Sequence, residues 1–122
     1  MIIKSMNPMI VTDSPEEMLP LYVKTMGFKL THNLEFPDVN LLVLEKDDIH
    51  IDVVVNANPK EKHLFKRETY AVRINVEDYD QTLYELLGAG CKVFVDTIEL
   101  SSAKFCLLEQ PNGLLLGIMK HK

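Results

Sequence analysis

Arg73, one of two arginines in the chain, stands mid-strand between the apolar residues Val72 and Ile74. A guanidinium there has two readings. It is an anion anchor that grips a carboxylate or phosphate through paired hydrogen bonds, or a structural cation that pairs with Asp52 or rests on a solvated sheet edge. Asp52 has two matching readings, as the partner of Arg73 or as a general base. His50 is placed to relay a proton or to share a metal with Asp52; the alternative is a polar rim residue. His32, His63 and His121 share no ligand spacing with it. Cys91 and Cys106 form no Cys-x-x-Cys pair and read as buried free thiols rather than a disulfide or a zinc site. The chain has no nucleophile elbow, Walker loop or dinucleotide glycine fingerprint, and Ser101-Ser102 reads as a turn.

Composition narrows the partners. With 18 acidic against 13 basic residues and a net charge of −5, the chain lacks the clustered cations that phosphate-backbone binding needs. Its one basic cluster, Lys60-Glu61-Lys62-His63 with Lys66-Arg67, is interleaved with acids and reads as a solvated loop. No stretch reaches the roughly 18 apolar residues of a membrane span. The N-terminus runs straight into a strand pattern without a secretion signal, so the expected location is the cytoplasm. At 122 residues and 47% hydrophobic, the expectation is a single domain with a buried core.

These residues are positioned by elements that recur in the same order twice. In the first half a strand is predicted over 6–11. Ser14 then serves as N-cap, with Pro15 at the first helical position and Glu17 completing a capping box. Met18, Leu21, Tyr22 and Met26 give that helix one apolar face, Pro20 kinks it slightly, and Gly27 ends it. Strands follow over 28–36, 39–45 and 49–56, parted by Pro37-Asp38 and Lys46-Asp47-Asp48. In the second half a strand over 70–76 leads to a helix capped by Asp78 with Gln81 three residues on. Leu83, Leu86 and Leu87 form its apolar face and Gly90 follows its end. Strands are then predicted over 92–98, 103–109 and 114–119.

The repeat extends to local wording. Val11-Thr12-Asp13 answers Val76-Glu77-Asp78, Gly27-Phe28-Lys29-Leu30 answers Gly90-Cys91-Lys92-Val93, and Val43-Leu44-Glu45 answers Leu107-Leu108-Glu109. The first module spans 1–57, the linker 58–68 and the second module 69–122. The fold class read from this is α+β, with two tandem βαβββ modules forming a curved mixed sheet around a cleft. One helix covers only one face of each sheet, and the remaining faces, set side by side, would enclose a ligand cavity.

This doubled order resembles the vicinal-oxygen-chelate superfamily of glyoxalases, bleomycin-resistance proteins and extradiol dioxygenases. Val11-Thr12-Asp13, Tyr22 with Met26-Gly27-Phe28, Val76-Glu77-Asp78, Ala89-Gly90 and Glu109-Gln110-Pro111-Asn112-Gly113 carry the likeness. Met26 replaces the usual Leu and Gln110 the usual Asp. The resemblance implies a homodimer, and in metal-dependent members His, Gln or Glu ligands on the first and fourth strands of each half. Counting from the shared markers puts those positions at Met6, Asp52, Ala71 and Gly117. Only Asp52 suits a hard cation, so the expectation is no metal and no other cofactor.

Strand alternation then assigns the cavity-facing residues: Met6, Pro8 and Ile10; His50, Asp52 and Val54; Ala71, Arg73 and Asn75; Leu115, Gly117 and Met119. The ligand-binding set is Met6, Pro8, His50, Asp52, Arg73, Asn75, Leu115, Gly117 and Met119, with Asp52 the only catalytic candidate. The function this implies is metal-free binding of a small molecule, similar to bleomycin-resistance proteins. The rival is a glyoxalase-like lyase, isomerase or dioxygenase that uses a divalent metal or Asp52 as base.

Overall fold

The computed structural model describes residues 1–61, 63–65 and 69–122, with the side chain of Thr69 set aside. Lys62, Lys66 and Arg67 of the basic linker cluster lie outside the described residues. The chain divides into two compact units, Pro8–Tyr70 and Met1–Asn7 with Ala71–Lys122. The first strand therefore contributes its opening residues to the second unit and its closing residues to the first.

The first unit contains the end of β1 (Ile3–Thr12), helix α1 (Pro15–Pro20), a π-helical turn (Leu21–Thr25), β2 (Lys29–Glu35), β3 (Val39–Lys46) and β4 (Ile49–Asn56). Its strands lie in the order β2-β3-β4-β1. β2, β3 and β4 pair antiparallel, whereas β4 and β1 run parallel. The helix is shorter than its apolar spacing predicts. Pro20 has no N–H to donate, so α1 stops there and the chain widens into the π turn. The wider turn shifts the phase of the buried face. Met18, Leu19 and Tyr22 pack against Phe28, Leu42, Leu44, Val53 and Val55, while Leu21 and Met26 of the expected face are exposed. Truncating a fully buried member such as Leu44 to alanine costs about 2–5 kcal/mol.

The predicted capping box does not form. Ser14 makes no side-chain cap, and its own N–H donates to Thr12 Oγ1 at 2.9 Å. Gly27 closes the segment at φ +86° as predicted, and Lys46 Nζ donates to the Met26 carbonyl at this exit.

The second unit contains the start of β1, then β5 (Thr69–Val76), α2 (Tyr79–Gly88), β6 (Lys92–Glu99), β7 (Ala103–Glu109) and β8 (Leu115–His121). β5 pairs parallel with β8, and β8 and β7 pair antiparallel, as do β7 and β6. Here the cap is as predicted: Asp78 Oδ1 accepts from the Gln81 N–H at 3.0 Å. Tyr79, Leu83 and Leu86 pack against Ile74, Val76, Cys106, Leu108 and Ile118, while Leu87 is largely exposed. The Tyr79 hydroxyl meets Thr97 Oγ1 at 2.9 Å. Burial pushes both the Tyr79 hydroxyl and the Cys106 thiol above their ordinary values. Both cysteines are free; Cys106 is buried, whereas Cys91 is only half-buried. Among the described residues no helix is long and apolar enough to cross a membrane. The result is an α+β fold of two βαβββ modules.

Candidate ligand-binding faces

In each unit the helix covers one face of the sheet, and the register identifies what lies on the other. In the first unit Asp52 pairs with Met9 on one side and Val43 on the other, and Val54 pairs with Val11 and Leu41. Register partners point the same way, so Asp52, Val54, Met9, Val11, Leu41 and Val43 share the face away from α1. Asp52 is 0% exposed there. His50 lies on the same face, and its Nδ1 stands 3.4 Å from Glu45 Oε1 on the neighbouring strand. Glu45 has no place in the sequence-derived ligand set; the signal for it was its place opposite His50 across the short Asp47-Asp48 turn.

This register corrects the assignment of β1. Ile10 pairs with Val53, a member of the helix-packed core, not with Asp52. Alternation sends Pro8 and Met6 the same way as Ile10. Contacts in the second unit agree, because Ser5 and Asn7 reach the side chains of Asn75 and Arg73. Met6, between them, turns to the other face and is 57% exposed. The physical cause is that Met9, Ile10, Val11 and Thr12 are all buried. With both faces covered, no hydrophobic alternation marks the parity.

Asp13 also differs from its counterpart. Asp78 caps its helix, whereas Asp13 accepts from Asn56 Nδ2 at 2.9 Å and contacts His63 Nδ1 at 3.2 Å.

In the second unit Ala71, Arg73 and Asn75 alternate away from the helix-packed Ile74 and Val76. Arg73 is the register partner of Gly117 and Asn75 that of Met119, and Gly117 pairs in turn with Leu107. Leu115 takes the same side as Gly117. The Arg73 side chain is 5% exposed, and its Nη1 donates to Met119 Sδ at 2.8 Å. With the Asn7 amide turned so that its oxygen faces the guanidinium, Asn7 Oδ1 accepts from Arg73 Nη2 at 2.6 Å. Asn75 Nδ2 donates to Ser5 Oγ at 2.6 Å. Ser5 and Asn7, which sequence reasoning missed, thus stand where Met6 was expected to act. The structure brings Arg73, Asn75, Gly117 and Met119 onto one face within this unit, with Leu115 on the same side.

The residues at the four counted positions do not fit a divalent metal. Met6 turns away, and Ala71 and Gly117 offer no side-chain donor. Beside Gly117 stands the fixed positive charge of Arg73, which repels a cation. Among the described residues no group of three or more His, Cys, Asp or Glu side chains is placed to hold a metal ion.

A family model described as Glyoxalase/Bleomycin resistance protein/Dioxygenase superfamily matches residues 5–114. No curated protein matches the chain significantly. Among solved structures, a hypothetical protein from Bacillus halodurans C-125 is 21% identical, with 98% of this chain and 96% of that one covered at a TM-score of 0.69. A superfamily member from Vibrio splendidus 12B01 is 16% identical, covering 95% and 97% at 0.59. A variant of the Streptomyces coelicolor methylmalonyl-CoA epimerase in complex with 2-nitronate-propionyl-CoA is 14% identical, covering 98% of both chains at 0.71. At these identities the likeness is one of fold.

Proposed function

The chain belongs to the Glyoxalase/Bleomycin resistance protein/Dioxygenase superfamily, and on that premise we propose that it binds an oxyanionic small molecule without a resident metal. The observation that carries this reading is Arg73. A guanidinium held by Met119 and Asn7 on the face away from α2, next to a glycine, is a preorganised cation. It supplies without a metal the positive charge that a ligand with neighbouring oxygens requires. Its planar fork matches a carboxylate or phosphate, and its desolvation strengthens the pairing. Asn75 and Met119 flank it, the first as a polar contact and the second as an adaptable apolar one. The nearest functional type is the bleomycin-resistance protein, which protects by capture rather than turnover. Methylmalonyl-CoA, seen bound to one epimerase of this fold, carries a carboxylate and supports an anionic ligand at the level of analogy only.

The test is a thermal-shift and calorimetric screen of small carboxylic acids, phosphate esters and acidic thioesters, run with chelator present throughout. The reading expects a ligand that raises Tm and is recovered unchanged. A ligand that binds only after a divalent metal is added, or that is converted by the protein with loss of conversion in Asp52→Asn, would replace it with the lyase, isomerase or dioxygenase alternative.

A further inference from the structure

Met1 and Ile2 lie against the first turns of α2, and a cavity of about 380 Å³ opens there, lined by Met1, Ile2, Glu77, Asp78, Gln81 and Thr82. All six belong to the second unit. The Glu77 N–H donates to the Ile2 carbonyl at 3.2 Å, and the Met1 nitrogen stands 3.9 Å from Glu85 Oε2. Asp78, Gln81, Thr82 and Glu85 recur at helical spacing and share that side of α2. Met1 and Ile2 are 51% and 62% exposed, so the cavity has one apolar wall. Its size falls in the range of small-molecule sites.

Its charge is one-sided. Two carboxylates line it, and no lysine or arginine does. The other acids near this end of α2 are engaged: Asp80 with Lys104 at 3.5 Å, Glu99 with Lys122 at 3.0 Å, and Glu85 Oε1 with Gln81 Nε2 at 3.1 Å. Asp78 Oδ1 accepts from the Gln81 N–H, and Asp78 also borders a neighbouring cavity with Lys104, Lys120 and Lys122. Glu77 enters no ion pair among the described residues, so it carries the charge this cavity can offer to a cation.

A second observation comes from Thr82. Its backbone N–H donates to the Asp78 carbonyl, and the residue is 1% exposed, yet its hydroxyl makes no hydrogen bond among the described residues. The neighbouring buried hydroxyl of Tyr79 does have a partner, Thr97. A buried hydroxyl without one is costly, and an N–H donor entering the cavity satisfies it.

We infer that this cavity binds an organic cation, an ammonium group carried on an apolar body. Glu77 pairs with the charge, the Thr82 hydroxyl accepts from the ammonium, and Met1 and Ile2 cover the apolar part. The site goes beyond the oxyanion-binding face proposed above and shares no residue with it.

The experiment is an amide-chemical-shift titration of the full chain at low ionic strength with three probes. Phenethylamine has both the charge and the apolar body, 2-phenylethanol lacks the charge, and ethanolamine lacks the apolar body. Phenethylamine is expected to shift the resonances of Ile2, Glu77, Gln81 and Thr82 saturably. It is expected to bind at least about threefold more tightly than either of the others. Glu77→Gln is expected to weaken phenethylamine by about threefold. Thr82→Val keeps the side-chain shape and breaks no hydrogen bond among the described residues. It is expected to leave Tm unchanged or higher while weakening phenethylamine by about threefold or more. Glu77→Gln, at an exposed position, gives the same direction should Thr82→Val fold poorly. Shifts absent from these residues, 2-phenylethanol binding as tightly as phenethylamine, or binding unchanged in both variants overturns the site.

Discussion

Arg73 and Gly117 are register partners on the parallel strands β5 and β8, and the equivalent pair in the other unit is Met9 and Asp52. The repeat therefore keeps a geometry while exchanging its chemistry. At the inner-strand position one module carries a thioether and the other a guanidinium; at the last-strand position one carries a carboxylate and the other no side chain. A symmetric ligand set for a metal would need donors at both. The exchange puts the cationic side chain in one module and the carboxylate in the other.

Arg73 provides the first prediction. Arg73→Met keeps most of the side-chain volume and removes the charge. It is expected to leave the fold intact and weaken the ligand by about 1.5–3 kcal/mol, the range for hydrogen bonds to charged groups. Arg73→Lys keeps the charge but loses the fork, so it is expected to recover only part of the affinity. Calorimetry on the two variants checks this; full affinity in Arg73→Lys would argue for a simple point charge.

The two helix starts give a second prediction. Asp78 accepts from the Gln81 N–H, whereas Ser14 makes no side-chain cap. Asp78→Ala is expected to lower stability by about 1 kcal/mol, and Ser14→Ala to stay within about 0.5 kcal/mol. Urea denaturation of both variants separates them. Equal losses would mean that Ser14 caps its helix in solution.

What could be read from the sequence followed from how strongly each residue type constrains its position. Gly27 and Gly90 marked the helix exits because both take positive φ. The order of strands and helices followed from turn residues and from the repeated Val-x-Asp wording. The parity of β1 was not legible, because Met9 through Thr12 are buried on both faces and Pro8 gives no alternation signal. The phase of the first helix was lost at Pro20, where the π turn replaces the assumed spacing. Asp52 and Arg73 stood out in the sequence as charged residues in apolar strands, and both are buried. Ser5 and Asn7 were passed over because short polar residues at a strand start look like ordinary surface.

Alkaline stability is the third prediction. Burial raises the Tyr79 hydroxyl well above its ordinary value of 10.0. Above that pH the unfolded chain loses this proton and the folded chain keeps it, so the folded state binds more protons and stability falls as pH rises. Cys106 acts in the same direction. Tyr79→Phe removes the bond to Thr97 and is expected to cost about 0.5–1.5 kcal/mol at neutral pH. Between about pH 9 and 11 the variant is expected to lose stability less steeply than the parent. Parallel profiles would show that Tyr79 is not protected in the folded state.

The metal content of the protein tests the central claim most directly. Untagged protein, purified without chelator and then offered Ni, Zn, Mn or Fe(II), is passed over a desalting column and assayed by mass spectrometry of the elements. The account predicts far less than about one metal ion per chain under every condition, because Met6, Ala71 and Gly117 supply no hard ligand and Arg73 supplies a competing charge. Retention of about one ion per chain or per dimer, lost in Asp52→Ala, would contradict it and make Asp52 a metal ligand.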